Sequence, residues 1–223
     1  MPSHESPNKH YAHLSRAFDQ AAQNYDPLYQ ANPVMAWLRR ESLGVLQATF
    51  SPGSRLLEIG CGTGDEALAL GRAGHKVVAT DISAAMIKVA QAKAVPDTGD
   101  VTWLVLAAGQ LAGLIGAYGP GSFDGAYASF GALNCEPDLA LAVAALAELL
   151  RPGAPLVCSV MNRWCVWEIG WGLVHLRPRQ AFRRLKHGWL EAGLASPQGR
   201  LSVPTRYYSP RCFARHFEPS FRV

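Results

Sequence analysis

Hydrophobic positions along the chain switch between a helical period and short unbroken runs. Residues 11–29 carry Leu14, Phe18 and Ala21 at helical spacing, with Pro27 as the stop. A second helix is predicted over 33–49, opened by Pro33, and Ser51-Pro52-Gly53 then breaks the chain. From there strands are predicted over 55–59, 76–80, 101–106, 123–128 and 154–160, and helices over 65–72, 83–95 and 138–150. Gly74 closes the first of these helices, Ser83 is placed to cap the second, and Arg151-Pro152-Gly153 ends the third. Such alternation predicts an α/β fold built on a doubly wound, mostly parallel sheet covered on both faces.

The rhythm breaks over 162–199. That stretch is rich in Trp and Arg and is predicted to be a helical insertion after the fifth strand. Arg206-Tyr207-Tyr208, a short helix over 209–216 and Phe221-Arg222-Val223 follow. With no internal repeat and no linker, a single domain over 1–223 is expected: an N-terminal helical part (1–50), a core (55–161) and a helical cap (162–205).

Composition narrows the picture. At 223 residues, 49% hydrophobic and 17% charged, the chain is a globular domain and not a disordered one. Its formal charge of +4 is small, and its one dense basic stretch lies between Arg177 and Lys186, so no nucleic-acid partner is expected. Five cysteines (61, 135, 158, 165 and 212) form no C-x-x-C pair and leave one over, which argues against a disulfide framework or a zinc site. No metal is expected. The N-terminal sequence lacks a signal-peptide core, and no apolar run nears the roughly 18 residues needed to span a bilayer. A cytoplasmic protein without stable membrane insertion, a monomer or homodimer, is the expectation.

The chemistry concentrates in Glu58-Ile59-Gly60-Cys61-Gly62-Thr63-Gly64-Asp65, between the first strand and the next helix. Glycines there permit a tight turn and let a ligand lie against the main chain, at the strand ends where open parallel sheets bind ligands. A dinucleotide fingerprint would put its third glycine at position 65, which holds Asp65, and no P-loop motif is present. A carboxylate there competes for the amides that a pyrophosphate would use. With Glu58 as a second acid, the turn suits a cationic ligand without phosphate. Asp81, at the end of the second strand, is placed to reach ribose hydroxyls.

Leu56-Leu57-Glu58-Ile59-Gly60-Cys61-Gly62-Thr63-Gly64 resembles the nucleotide-binding motif of the class I S-adenosylmethionine-dependent methyltransferases, and Ala79-Thr80-Asp81-Ile82-Ser83 resembles their second motif. Phe123-Asp124-Gly125-Ala126-Tyr127-Ala128 is similar to their fourth strand, and Leu149-Leu150-Arg151-Pro152-Gly153-Ala154 to the turn before their fifth. S-adenosylmethionine, with its sulfonium and ammonium, fits the charge argument. The resemblance implies that Gly60, Cys61, Gly62 and Gly64 pack against the cofactor, Glu58 faces its ammonium, Asp81 holds the ribose, and Ile82 and Met86 flank the adenine. Ser129 and Phe130 would line the sulfonium region, and Phe18 and Tyr25 belong to a helix resembling the family's lid. Ala108 stands where the family often has an Asp for the adenine amino group, which leaves that contact to the backbone around Ala108 and Gly109 or to Gln110. The family's sheet normally ends in an antiparallel strand beside the fifth, so the chain is either truncated at Val223 or finishes its sheet differently.

Methyl transfer needs alignment more than a base, and no catalytic residue is identifiable. His175 and His187 are weak candidates for a base, and Cys135 and Glu136 are either substrate contacts or the first turn of the next helix. Trp164, Trp167 and Trp171 share a helical face that would pack inward, wall an acceptor pocket or meet a membrane surface. Arg177, Arg179, Arg183, Arg184 and Lys186 form a solvated face or a clamp for an anionic group. The expected reaction is methylation of an O, N or C centre on a small, partly apolar acceptor. The alternative is a non-catalytic S-adenosylmethionine-binding protein or partner subunit. A methyltransferase acting on nucleic-acid bases would carry Asn/Asp-Pro-Pro-aromatic where this chain has Ser129-Phe130-Gly131-Ala132.

Overall fold

Strands with no polar face must be covered on both sides, and that requirement fixes the arrangement of the core. The computed structural model describes residues 6–196, 199–218 and 220–222, so residues 1–5 and Val223 lie outside the described residues. Its central sheet has five parallel strands: β1 (Arg55–Ile59), β2 (Lys76–Asp81), β3 (Asp100–Val105), β4 (Gly125–Ala128) and β5 (Leu156–Cys158). Their order is β3-β2-β1-β4-β5. The chain steps outward from β1 to β3, then returns to the other side of β1, so the topological switch point lies between β1 and β4. In register, Leu57 sits beside Val78 on one side and Ala126 on the other.

The pleat sends neighbouring residues to opposite faces. Leu57, Val78 and Ala126 join Val143, Leu146 and Leu149 of helix α6 (Leu139–Leu149) in one buried cluster. Leu56, Val77 and Tyr127 face the other way, onto Leu46 and Phe50 at the end of α2 (Pro33–Thr49), Ala67 and Leu70 of α3 (Asp65–Arg72) and Ile87 of α4 (Ala84–Lys93). The caps are local and polar. Asn32 accepts from Val34 and Met35, Ser83 from Met86, and Asp138 from Ala140 and Leu141. A 3-10 turn (Ala108–Leu114) and the short α5 (Ile115–Tyr118) bridge β3 to β4.

Across the carboxyl ends of the strands lies α1 (Pro7–Gln30), with Leu14, Ala17, Ala21 and Ala22 buried. It passes through Pro27 instead of stopping there, because the proline falls in the last turn, where only one backbone bond is forfeited. The segment 162–199 also departs from expectation. It opens with two short helices, α7 (Val166–Val174) and α8 (Pro178–Ala181), and then enters an antiparallel hairpin of β6 (Leu190–Ser196) and β7 (Gly199–Thr205). Leu194 and Val203 are buried against α1, so period-two alternation decides this stretch, and the cap is not wholly helical. Among the described residues no strand pairs with the far side of β5. The final segment instead forms α9 (Pro210–Ala214), capped by Ser209, and sends Phe213 and Phe217 into the core.

Phe123, fully buried beneath the sheet, anchors that core. Phe123→Ala is expected to lower unfolding free energy by about 3–5 kcal/mol in urea titration, a cavity cost typical of buried aromatics; a loss below about 1 kcal/mol contradicts the packing described.

Candidate functional site

The turn after β1 is held in place by main-chain bonds before any ligand arrives. Gly60 and Cys61 both donate backbone N–H groups to the Thr80 carbonyl, at 2.8 and 2.9 Å. The three glycines all have positive φ (71°, 53° and 79°), but each needs its missing side chain for a different reason. A Cβ on Gly60 would lie 2.3 Å from that of Ala132, and one on Gly64 would strike the Trp103 ring at 2.5 Å. Around Gly62 no protein atom comes within 4 Å of the same position. Gly60 and Gly64 are therefore glycine because the protein packs there, whereas Gly62 opens onto free space.

Asp81 joins the turn to the end of β2. Its Oδ2 accepts from Gly62 N–H and its Oδ1 from Ser83 N–H, each at 2.8 Å. Burial pushes this carboxyl up to about 6, against the pull of the two amides, and nearby Asp19 raises it further. Glu58 is fully buried, and burial followed by the neighbouring Glu66 carboxylate pushes it well above the usual range. The Tyr127 hydroxyl lies against the same carboxyl and pulls it back. Glu66 is also buried and raised by burial, with Arg39 pulling it back. Three acids thus converge under the turn.

Asp65 plays another part than the sequence suggested. It is paired with Arg39 and Lys93, so its charge is neutralised within the protein. Lys93 also reaches Asp26 of α1 at 2.8 Å, and Thr63 donates to the same carboxylate. One turn pair earlier on α1, Asp19 accepts from Ser83 Oγ at 2.6 Å and from Ala85 N–H at 3.0 Å, at the exposed amides opening α4. Tyr11 donates to Glu136 Oε1 at 2.7 Å, while Glu136 Oε2 takes the Gly109 N–H at 2.9 Å. Three polar latches therefore close α1 over the strand ends.

Beneath α1 lies a cavity that is partly open to solvent. Phe18, Tyr25, Gly60, Cys61, Gly62 and Asp81 line it, as do Ile82, Met86, Ala108, Ser129 and Phe130. Of the other predicted residues, Glu58 is buried below the wall, Gly64 packs on Trp103, and Gly109 and Gln110 stand behind it, with Gln110 bonded back to Ala107. Phe130 holds a positive φ of 53° and lies under the Arg39 guanidinium, 5.4 Å from the ring centre. Sequence reasoning missed Tyr11, Arg39, Glu66 and Met161, and the hairpin residues Leu194, Val203 and Thr205 that roof the space. Only Glu66, next to the glycine motif, carried a local signal. His175 and His187 are exposed and do not reach the cavity, nor do Trp164, Trp167 and Trp171. Among the described residues no cluster of His, Cys, Asp and Glu could hold a metal ion, and all five cysteines are free thiols.

A family model described as a methyltransferase domain matches residues 56–153. A ubiquinone biosynthesis O-methyltransferase of Xanthomonas campestris is 32% identical over 160 residues, covering 72% of this chain and 62% of that protein. Its counterpart in Xanthomonas oryzae is 31% identical over 161 residues, with the same coverage. The chain thus matches somewhat under two thirds of the length of these relatives. Among solved structures, an S-adenosylmethionine-dependent methyltransferase from Methanosarcina mazei superposes with a TM-score of 0.61 at 20% identity, over 79% of this chain and 82% of that one. The 1,6-didemethyltoxoflavin-N1-methyltransferase of Burkholderia thailandensis, solved with 1,6-didemethyltoxoflavin and S-adenosylhomocysteine, gives 0.61 at 19% identity over 97% and 79%. At these identities the likeness concerns the fold.

Removing one latch should loosen α1 without dissolving the core. Asp19→Ala leaves the Ser83 hydroxyl and Ala85 amide unpaired, an expected cost of about 1–3 kcal/mol. Hydrogen exchange should then speed up in α1 while β1 and β4 keep their protection; equal protection of α1 in variant and parent contradicts the latch.

Proposed function

The chain belongs to the class I S-adenosylmethionine-dependent methyltransferases, whose domain it carries over residues 56–153, and from that premise we propose that it methylates a small, partly apolar acceptor. The observation that carries the reading is the pairing of an open glycine with a cavity-lining acid. Gly62 faces free space, and Asp81, which lines the same cavity, accepts its amide N–H. A glycine turn that opens onto such a cavity without a phosphate-binding fingerprint suits S-adenosylmethionine. The residues present fit that cofactor.

Asp81 then holds the ribose. A carboxylate has about four lone-pair sites, and the Gly62 and Ser83 amides occupy two, which leaves acceptors for two hydroxyls. Ile82 and Met86 would flank the adenine, with Ala107 and Ala108 along its edge, and Cys61, Ser129 and Phe130 would border the reacting end. S-adenosylmethionine supplies a methyl carbon already activated by its sulfonium leaving group. The chain's task is to hold the acceptor in line behind that carbon, where alignment alone can contribute about 7–11 kcal/mol. Leu14, Phe130, Met161, Leu194 and Val203 give the cavity an apolar wall against which the acceptor would lie. An oxygen centre is favoured because the relatives are named O-methyltransferases. Free thiols support work in a reducing, cytoplasmic setting.

Calorimetric titration with S-adenosylhomocysteine tests the site, and assay with labelled S-adenosylmethionine against small hydroxylated aromatics tests the activity. Gly62→Val is expected to cost about 1–3 kcal/mol of stability through its positive φ, to keep the native circular dichroism spectrum, and to abolish binding. Retained binding contradicts the turn assignment.

Binding should also depend on pH in a definite direction. Ribose hydroxyls donate to the ionised form of Asp81, whose carboxyl sits at about 6 in the free protein, so the complex holds fewer protons. Affinity for S-adenosylhomocysteine should be full well above pH 6 and weaken below it, by up to about tenfold per pH unit. Asp81→Asn should bind more weakly and show a flatter profile between pH 5 and 7; an unchanged slope contradicts the ribose role.

A further inference from the structure

Half of the exposed large apolar side chains among the described residues fall in one stretch, from Trp164 to Phe182. The stretch is inside out. Trp167 is 81% exposed and Leu176 89%, with Val166 and Val174 nearly as open. Glu168, with 25% of its side chain exposed, is tied down by Arg183 and Arg184, and Arg163 donates to the Leu185 carbonyl at 2.6 Å. Helix α7 meets α8 through Gly172, where a Cβ would lie 2.8 Å from that of Ala181, so the two backbones touch and the bulky residues are left outside. The ridge is thus anchored by ion pairs and a glycine contact, and its large apolar side chains are left exposed.

We propose that this ridge is a docking surface for an anionic lipid bilayer. Three cations beside it, Arg177, Arg179 and Lys186, are exposed and make no ion pair among the described residues, and Glu168 is the one acid between Trp164 and Lys186. Exposed Trp and branched aliphatic residues flanked by Arg and Lys match an interface where rings and alkyl groups enter the headgroup boundary and cations meet lipid phosphates. A second copy of the chain fits less well, since a two-fold interface would bring the same three cations face to face. A protruding ridge, unlike a groove, also needs no preformed partner surface and sinks readily into a fluid one. Met161 lines the cavity under α1 and Trp164 follows three residues later, within about 11 Å of extended chain, so docking here brings the cavity close to the bilayer. The surface is argued from α7, α8 and their arginines alone, and stands apart from the methyl-transfer reading.

Vesicle co-sedimentation tests it, using phosphatidylcholine vesicles with and without 30% phosphatidylglycerol, a lipid fraction set as on the order of that in anionic membranes. The protein should bind the phosphatidylglycerol vesicles, lose binding at high salt, and show blue-shifted tryptophan fluorescence on binding. Trp167→Ser with Leu176→Ser should weaken binding about tenfold or more, as should Arg177→Glu with Arg179→Glu, both pairs keeping the native circular dichroism spectrum. No binding by the parent protein, equal binding to neutral vesicles, or binding unmoved by either pair overturns the proposal. So does a parent protein that is dimeric by light scattering and becomes monomeric on losing Trp167 and Leu176, since the ridge is then an interface between copies.

Discussion

Everything at the strand ends hangs on one carboxylate. Asp81 receives an amide from the glycine turn of β1 and another from the start of α4, and so fixes the distance between the first two βα units. Buried as it is, the group would be costly to ionise without those donors. The same geometry leaves its remaining lone pairs directed to the cavity. A structural clamp and the proposed ribose-binding acid are therefore one side chain. The chain neutralises Asp65 with its own Arg39 and Lys93, whereas Asp81 is held by backbone amides and lines the cavity.

Helix α1 partly covers the switch-point crevice. Its contacts with the core are mixed: small residues (Ala17, Ala21, Ala22) permit close approach, and Asp19, Asp26 and Tyr11 close on polar groups that line or edge the site. Polar latches of this type open at lower cost than an apolar interface of equal size, because each freed group is rehydrated. A lid held this way can exchange ligands while the sheet beneath stays intact. The β6–β7 hairpin backs α1 and contributes Leu194 and Val203 to the roof, which makes the acceptor side of the chamber more apolar than the cofactor side.

Much of this was legible in the sequence, and the unread parts share a cause. The five parallel strands, the helices between them and the glycine turn were readable because a fully apolar run and a G-x-G-x-G spacing are local signals. Ser83 as a cap and Asp81 at a strand end were equally local. The hairpin was not, because Leu190, Ala192 and Leu194 alternate within a stretch whose tryptophans suggest a helix, and their partners on β7 are reached only through tertiary contact with α1. Pro27 was misread as a stop because its effect depends on how many turns follow it. Arg39, Met161 and Tyr11 come to the cavity from distant segments, and no spacing rule connects residue 11 to residue 136. The position of the three tryptophans on the outside followed from ion pairs that turn Glu168 inward, which pattern alone could not reveal.

The central claim, that the turn after β1 cradles a cationic nucleoside without phosphate, is tested most directly by a crystal structure with S-adenosylhomocysteine. The account predicts ribose hydroxyls within hydrogen-bond distance of Asp81 and the homocysteine part lying against Gly60 and Gly62, with α1 above. A nucleoside bound elsewhere, or a diphosphate resting on the amides near Asp65, would contradict it.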